Sequence, residues 1–239
     1  MNIAIICAGG NGERMKTKEN KIFLKLNGRP IIYYTLRTFA DYREADSIIV
    51  TIGEEYIDRL HTLIEESHID KEISIEYAYK TRQESTYHII EKLKDRNISL
   101  DSYLIIHNAV NPFVTHAELD KCLEGAHEFG ASLLAFPASD TVKIVNGQNL
   151  IDRTPMRESV WIAQTPQVIR FDLALNAFEH AQSTGFFATD DSTLVESIQG
   201  KVQCIECSRE NFKITYPHDL ELARQIYTRR MREKNIWYE

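Results

Sequence analysis

The stretch that decides the fold is residues 2–15, Asn-Ile-Ala-Ile-Ile-Cys-Ala-Gly-Gly-Asn-Gly-Glu-Arg-Met. An apolar run closed by glycines is typical of a strand that is buried on both faces of a parallel sheet. Glycines let the backbone turn tightly and aim N–H groups at an anion, and Arg14 adds positive charge. We therefore predict a strand over residues 2–7, followed by a loop that is able to bind phosphates. On its own, such a loop is also compatible with a turn that binds nothing.

Strand and helix patterns alternate from this first strand to about residue 138. Four further apolar runs predict strands, at residues 47–52, 73–77, 102–107 and 132–136. Apolar residues at helical spacing lie between the runs, and Gly130 is placed to end the last of these helices. This alternation predicts an α/β fold with a doubly wound, mostly parallel sheet. We expect a single domain over residues 1–239.

The pattern changes at residues 139–159, where a hairpin is predicted. Two short apolar segments, 142–145 and 149–152, flank Asn146-Gly147, and Asn-Gly favours a tight turn. Because a lone hairpin is marginally stable unless it packs on something, we predict a protruding arm that grips a second copy of the protein. The remaining elements are expected to be a strand at 160–163, helices near 171–183 and 191–198, a strand at 201–205, and a helix after residue 217.

Composition excludes several classes of function. The chain of 239 residues has 28 Lys and Arg against 35 Asp and Glu, a net charge of −7, which argues against a nucleic-acid or anionic-membrane partner. No apolar run is long enough to span a membrane, and the N-terminus lacks the basic region of a signal peptide. Cys204 and Cys207 have no second cysteine pair to complete a zinc site. Reduced thiols indicate a cytoplasmic protein.

Basic, hydroxyl and amide residues recur just past the predicted strands. In a doubly wound sheet the carboxyl ends of parallel strands lie at one edge, which is where such folds bind ligands. Clusters of this kind are suited to holding two phosphorylated molecules. They occur at Lys21, residues 82–85, residues 107–112, residues 140–143, residues 164–167, residues 189–191 and residues 211–215.

Taken together, these segments resemble the cytidylyltransferases that make CDP-activated polyols, which act on 2-C-methyl-D-erythritol 4-phosphate or D-ribitol 5-phosphate. The resemblance runs from residue 2 to about residue 227 and rests on the order of four motifs. These are Ala-Gly-Gly-x-Gly-x-Arg-Met at 8–15, Gln-Thr-Pro-Gln at 164–167, Thr-Asp-Asp at 189–191 and Asn-x-Lys-Ile-Thr at 211–215. It implies a Rossmann-like nucleotidyltransferase fold.

The resemblance also implies an activity: transfer of CMP from CTP to a sugar or polyol phosphate, with release of pyrophosphate and with Mg²⁺ as cofactor. It assigns catalytic roles on the phosphates to Arg14, Lys21 and Lys213. It assigns nucleotide binding to Ala8, Gly9, Gly10, Gly12, Arg82 and Ser85. It assigns binding of the acceptor phosphate to Thr141, Arg157, Thr165 and Thr189. By the same resemblance, Arg157 and Thr165 would come from the neighbouring subunit of a homodimer, through the arm.

Several positions depart from the family pattern, among them Asn20 and Ile22 beside Lys21, Ala78-Tyr79 in place of a glycine pair, and two asparagines after the fourth strand. Asn108 stands where the family has an Asp that holds magnesium, and Asn111 stands where it has an Arg. If Asn108 is the metal ligand, its neutral amide should bind the ion more weakly than a carboxylate would. Four hypotheses therefore remain open. Two are active cytidylyltransferases, one for a methylerythritol-phosphate-like acceptor in isoprenoid biosynthesis and one for D-ribitol 5-phosphate or another polyol phosphate of cell-surface polymers. The others are a non-catalytic nucleotide-binding homologue and a nucleotidyltransferase-like fold that uses another base or another chemistry.

Overall fold

A seven-stranded sheet is the centre of the computed structural model, which describes residues 1–10, 12–15 and 19–233. The strands of these residues are β1 (Asn2–Cys7), β2 (Lys25–Leu26), β3 (Arg29–Pro30), β4 (Ser47–Ile52), β5 (Ile73–Tyr77), β6 (Tyr103–Asn108), β7 (Ala131–Pro137), β8 (Ile144–Val145), β9 (Ile151–Arg153), β10 (Trp161–Arg170) and β11 (Gln203–Glu206). The main sheet has the order β11-β7-β10-β6-β1-β4-β5. All neighbours in it are parallel except β10, which is antiparallel to both β6 and β7. The predicted mostly parallel sheet is confirmed.

Seven α-helices of the described residues cover the two faces of the sheet. They are α1 (Ile31–Asp41), α2 (Ile57–Glu66), α3 (Arg82–Asp95), α4 (His116–Phe129), α5 (Phe171–Thr184), α6 (Asp191–Ser197) and α7 (Pro217–Glu233). One buried cluster joins α1, α2, α4 and α7 to the sheet, and a second joins α3, α5 and α6. The sheet is therefore wound on both sides, as the alternating sequence pattern predicts.

The first strand divides its side chains between these two cores. Ala4 and Ile6 belong to one cluster, whereas Ile3 and Ile5 belong to the other, and all four are buried. Successive side chains of a strand point to opposite faces, so a strand covered by helices on both sides must be apolar throughout. This requirement explains why residues 2–7 form a continuous apolar run rather than an alternating one.

Helix caps place two functional segments at the carboxyl edge of the sheet. Thr81 caps α3 through a capping box with Glu84, so Arg82 is the first residue of that helix. Asp190 caps α6 by accepting from the Thr193 N–H. Gly130 ends α4 with a left-handed backbone, which glycine adopts without a steric penalty.

Strand β10 is longer than its sequence predicts. A strand is expected over residues 160–163, but β10 continues to Arg170 and includes the 164–167 motif. Pro166 obscures the strand pattern because it cannot donate a hydrogen bond to the sheet. The register against β7 shifts between Ala163 and Gln167, and this irregularity accommodates the proline.

The arm over residues 139–159 is a hairpin of its own, formed by β8 and β9 and separate from the main sheet. Its turn differs from the predicted Asn-Gly turn, because the N–H of Asn146 donates to Leu150 O and the loop closes over five residues. The left-handed residue is Asn149 (φ 60°) rather than Gly147. The Asn146 side chain also accepts from the N–H groups of Gln148 and Leu150, which stabilises this wider loop.

The structure bears on two features that the sequence analysis considers, membrane-spanning segments and the Cys204–Cys207 pair. No helix among the described residues is long and apolar enough to cross a membrane. Cys204 and Cys207 carry free thiols, and the described part of the chain contains no group of three His, Cys, Asp or Glu residues that could hold a metal.

Candidate functional site

A cleft of about 180 Å³ opens at the carboxyl edge of the sheet, among the segments that follow β1, β5, β6 and β11. This is the edge at which open α/β sheets bind their ligands. Eight of the residues that the sequence assigns to a site line it: Ala8, Gly9, Gly10, Lys21, Arg82, Ser85, Asn108 and Lys213. The structure thus brings together segments that are separated by up to about two hundred residues of sequence.

The glycine-rich loop forms one wall of this cleft. The Ala8 N–H donates to Thr51 O at 2.8 Å, which holds the loop against the end of β4. A Cβ atom on Gly9 would lie 2.3 Å from the Ala78 Cβ, so only glycine fits there. Gly12 has φ 69°, and a Cβ on it would lie 3.2 Å from the Lys21 Cγ. Asn11 lies outside the described residues.

Lys21 and Lys213 carry the positive charge of the cleft. Lys21 is buried, and its Nζ lies 3.4 Å from Ile214 O. Burial lowers the pKa of Lys21, as do the positive charges of Lys213 and Arg14, to about 8. The pKa of Lys213 is also lowered, by burial first and then by Arg82 and Arg14. Arg14 itself is exposed beside the Tyr216 ring, 5.8 Å from its centroid, and does not line the cleft.

The pKa of Lys21 predicts how binding of the expected CTP ligand depends on pH. The ammonium is mostly charged at pH 7 and mostly neutral at pH 9, whereas a bound triphosphate would hold it charged at both. We expect the CTP affinity to fall about tenfold from pH 7 to pH 9, because the charged fraction of a lysine with a pKa near 8 falls about tenfold over this range. Calorimetric titration at several pH values measures this, with Lys21→Arg as the control that stays charged. An affinity loss of equal size in Lys21→Arg would contradict the prediction.

Arg82 is held by partners from two other elements. Its Nε and Nη2 donate to Asp191 Oδ2 at 2.9 and 2.6 Å, and its Nη1 donates to Asn108 Oδ1 at 2.7 Å. Asp191 is almost fully buried. Burial by itself would lower the pKa of Arg82, but Asp191, Cys7 and Asp190 together outweigh burial and raise the pKa above its ordinary value. The guanidinium is therefore fixed in place and permanently charged.

The residues around Asn108 do not fit a protein-held magnesium ion. The Oδ1 atom, which is the only side-chain atom of Asn108 that can bind a cation, accepts from Arg82. The nearby Asp191 carboxylate pairs with the same guanidinium, and the Asp190 carboxylate is engaged with Gln167 and the start of α6. Within the described residues, no group of three or more His, Cys, Asp or Glu side chains is placed to hold a metal ion. The predicted metal role of Asn108 therefore has no geometric support.

Ser85 and Thr189 lie near Arg82 but in different surroundings. The Ser85 hydroxyl donates to Thr81 O and accepts from the Tyr79 N–H, both at 2.8 Å, so it shapes the loop that lines the cleft. Thr189 lines a second cavity of about 300 Å³, together with Phe187, Asp191 and the same Arg82. Arg82 thus contributes to both cavities.

The three other predicted acceptor-binding residues do not share one position. Thr141 and Arg157 are exposed on the arm, where Arg157 Nη1 lies 3.5 Å from Ser139 O, and neither lines the cleft. Thr165 is buried in β10, and its hydroxyl accepts from the Asn108 N–H at 3.2 Å. The expectation that Thr165 comes from a neighbouring subunit is therefore wrong, because β10 pairs with β6 of its own chain and brings Thr165 beside its own cleft.

Sequence reasoning missed several partners within the site. The sequence motifs give Asp191 no role of its own, yet it is the ion-pair partner of Arg82. Tyr79 and Lys80 line the cleft, and no motif marks them. The Thr-Asp-Asp motif was the one available signal for Asp191, since only one of two adjacent carboxylates can cap the following helix.

A glycine-rich loop after the first strand, with convergent cations at the carboxyl edge of a mostly parallel sheet, defines an α/β protein of the nucleotidyltransferase class. The model of one family, IspD or 2-C-methyl-D-erythritol 4-phosphate cytidylyltransferase, matches residues 2–229. The chain belongs to this family.

Individual relatives agree with this assignment over nearly the full length. A 2-C-methyl-D-erythritol 4-phosphate cytidylyltransferase of Bacillus velezensis is 39% identical over 94% of both chains. One of Clostridioides difficile is 38% identical over 98% of this chain and 97% of its own. The crystal structure of 4-diphosphocytidyl-2C-methyl-D-erythritol synthase from Anaerococcus prevotii superposes with a TM-score of 0.81 at 29% identity, and covers 95% of this chain and 96% of its own. The predicted family and fold are confirmed.

Proposed function

We propose that the protein transfers CMP from CTP to 2-C-methyl-D-erythritol 4-phosphate and releases pyrophosphate, a step of isoprenoid biosynthesis. The observation that carries the proposal is the convergence of Lys21, Lys213 and Arg82 on one cleft. The names of relatives at 38 and 39% identity support the methylerythritol acceptor over D-ribitol 5-phosphate. Free thiols at all four cysteines are in keeping with a cytoplasmic location.

The chemistry requires two anions to be held in line. A phosphate oxygen of the acceptor forms a bond to the α-phosphorus of CTP, and the bond from that phosphorus to the bridging oxygen breaks, so that pyrophosphate leaves. Acceptor phosphate and triphosphate repel each other, and charge accumulates around the reacting phosphorus. Lys21 and Lys213 line the cleft, and their mutual repulsion in the free protein would be replaced by attraction to phosphate. We assign the triphosphate to this cleft and the acceptor to its neighbourhood beside Arg82.

The direct test is incubation with each of the four nucleoside triphosphates and a panel of acceptors. We expect pyrophosphate and a CDP product with CTP and 2-C-methyl-D-erythritol 4-phosphate, and much slower release with D-ribitol 5-phosphate. Faster turnover of the ribitol ester would move the assignment to a polyol phosphate of cell-surface polymers. Tight CTP binding without pyrophosphate from any pair would instead identify a nucleotide-binding homologue without catalytic activity.

We propose that magnesium reaches the site bound to the triphosphate rather than through Asn108. The Asn108 oxygen already accepts from Arg82, and a carboxylate at this position would be neutralised by the same guanidinium. We therefore expect Asn108→Asp to leave the half-saturating magnesium concentration within about twofold of the unmodified protein. Steady-state rates over a magnesium titration at fixed CTP measure it. A half-saturating concentration several times lower in Asn108→Asp would place the ion at residue 108.

We propose further that two chains form a homodimer through the arm. The hairpin of residues 139–159 lies outside the main sheet and exposes apolar side chains, which a stable monomer seldom does. The exposed set includes Val145, Leu150, Ile151 and Met156. An arm that reaches a second subunit would also explain why Thr141 and Arg157 lie away from the cleft of their own chain.

Mixed dimers test this arrangement directly. If Arg157 acts in the neighbouring subunit, a dimer of Arg157→Ala with Lys213→Ala contains one intact site. Random mixing makes half of the dimers mixed, so we expect about a quarter of the unmodified activity from two variants that are nearly inactive alone. Light scattering should show a monomer for Ile151→Asp and a dimer for the matched control Leu222→Asp, an exposed leucine on α7. No recovered activity on mixing would overturn the shared site.

A further inference from the structure

Two asparagine side chains, Asn108 and Asn111, and the main-chain carbonyl of Asn211 connect the two walls of the cleft. The connection begins at Arg82, whose Nη1 donates to Asn108 Oδ1 at 2.7 Å. A guanidinium can only donate, so Asn108 must present its oxygen to Arg82 and its amino group to the other side. There the Asn108 Nδ2 lies 3.2 Å from Asn111 Oδ1 and 3.3 Å from Thr165 Oγ1.

The next two hydrogen bonds, donated by the amino groups of Asn111 and Asn211, lead further away from Arg82. Because the Asn111 oxygen faces Asn108, its Nδ2 donates away from it, to Asn211 O at 3.3 Å. The Asn211 Nδ2 in turn donates to Thr165 O at 2.8 Å. Asn111 is fully buried, so turning over its amide would set donor against donor at Asn108 and acceptor against acceptor at Asn211 O, with no water to relieve the conflict. The fixed charge of Arg82 therefore orients the amides of Asn108 and Asn111.

The far end of this chain holds the segment that carries Lys213. Asn211 is tied to Asn111 as described, and the Ile214 N–H donates to Val110 O at 2.9 Å. Lys213 lies between these two anchors and extends into the cleft. The segment that presents one cation is thus bonded at both ends to the turn after β6, and this turn bonds Arg82 on the opposite wall.

We propose that Asn108 and Asn111 are positioning residues, which fix Arg82 and the Lys213 segment relative to each other during group transfer. The inference rests on the proposed function. Two neutral amides suit this task because each both accepts and donates, whereas an ionised Asp cannot donate and an Arg cannot accept. They also add no charge to a cleft in which Lys21 and Lys213 already repel each other.

Positioning acts on the reaction more than on binding. Misplacement of a catalytic group by about 1 Å can reduce turnover about a hundredfold, because alignment matters most in the transition state. A triphosphate in the ground state still meets the glycine-rich loop, which is held against the end of β4 rather than by the amide chain. Loss of the chain should therefore lower kcat while leaving the KM for CTP nearly unchanged.

The experiment compares Asn111→Leu, Asn108→Ala and the double variant in full steady-state kinetics. We expect kcat to fall about ten- to a hundredfold in each single variant, with the KM for CTP within about threefold. Because both residues act through one chain, the double variant should lose little more than either single variant. Asn108 is only partly buried, so its variant folds even where Asn111→Leu does not.

The matched control is Thr35→Val, which removes a buried hydrogen bond to Ala109 O in the same turn without touching the amide chain. It should lower the melting temperature as Asn111→Leu does and leave kcat unchanged. Folded single variants with kcat within twofold of the unmodified protein, or multiplying effects in the double variant, would overturn the positioning role alone. An equal kcat loss in Thr35→Val would also overturn it. An unmodified protein without any transfer would overturn the proposed function as well.

Discussion

Lys213→Ala is expected to lower kcat about a hundred- to a thousandfold, the usual cost of removing one preorganised group that stabilises charge in a transition state. Lys213 lines the cleft, and its segment is held at both ends by the turn after β6. Burial and the positive charges of Arg82 and Arg14 lower the pKa of Lys213. The charged form of this side chain is therefore disfavoured until a phosphate is bound. Steady-state pyrophosphate release from CTP and the acceptor measures the loss.

The same variant should not lose stability. Removing one cation from a cluster of like charges relieves repulsion, so the melting temperature of Lys213→Ala should equal or exceed that of the unmodified protein. The pKa of Lys21 should also rise, because Lys213 is one of the charges that lower it. Lys201→Ala, at an exposed lysine before β11, is the control for loss of one charge. Turnover within threefold of the unmodified rate would exclude Lys213 from the reaction.

Asp191→Asn is expected to cost about 3 kcal/mol of unfolding free energy, the lower end of the range for breaking a buried ion pair. Among the described residues, Asp191 is the carboxylate that forms an ion pair with the Arg82 guanidinium, and only about 2% of the Asp191 side chain is exposed. An amide of the same shape leaves the charge of Arg82 uncompensated. For a domain of this size, the loss corresponds to a melting temperature about 6–12 °C lower, which calorimetry can measure.

Two further variants separate charge from packing at this ion pair. Asp41→Asn breaks the ion pair with Arg37, in which both side chains are about half exposed. It should lower the free energy of unfolding by less than about 1 kcal/mol. Arg82→Met combined with Asp191→Leu removes both charges, and should recover much of the lost stability. A double variant as unstable as Asp191→Asn would show that shape, not uncompensated charge, accounts for the loss.

The order of elements and much of the site could be predicted from the sequence because both depend on local patterns. The apolar run of residues 2–7 identifies β1, and the position of a motif after a strand places it at the carboxyl edge of the sheet. Lys21 and Lys213 were predicted in this way and do share a cleft. The wide turn of the arm and the length of β10 were missed, because local residue preferences allow several turn types and Pro166 masks the strand.

By itself the sequence determined the doubly wound sheet, the protruding hairpin and the group of cationic segments at one edge, since periodicity and motif order are set by residues close in the chain. Only the tertiary structure decided which of these residues contact one another. Arg82 meets Asp191 across 109 residues, and Asn111 meets Asn211 across 100. The physical reason is that such contacts depend on which loops reach the same strand ends and on the direction in which each amide donates, and no spacing in the sequence encodes either.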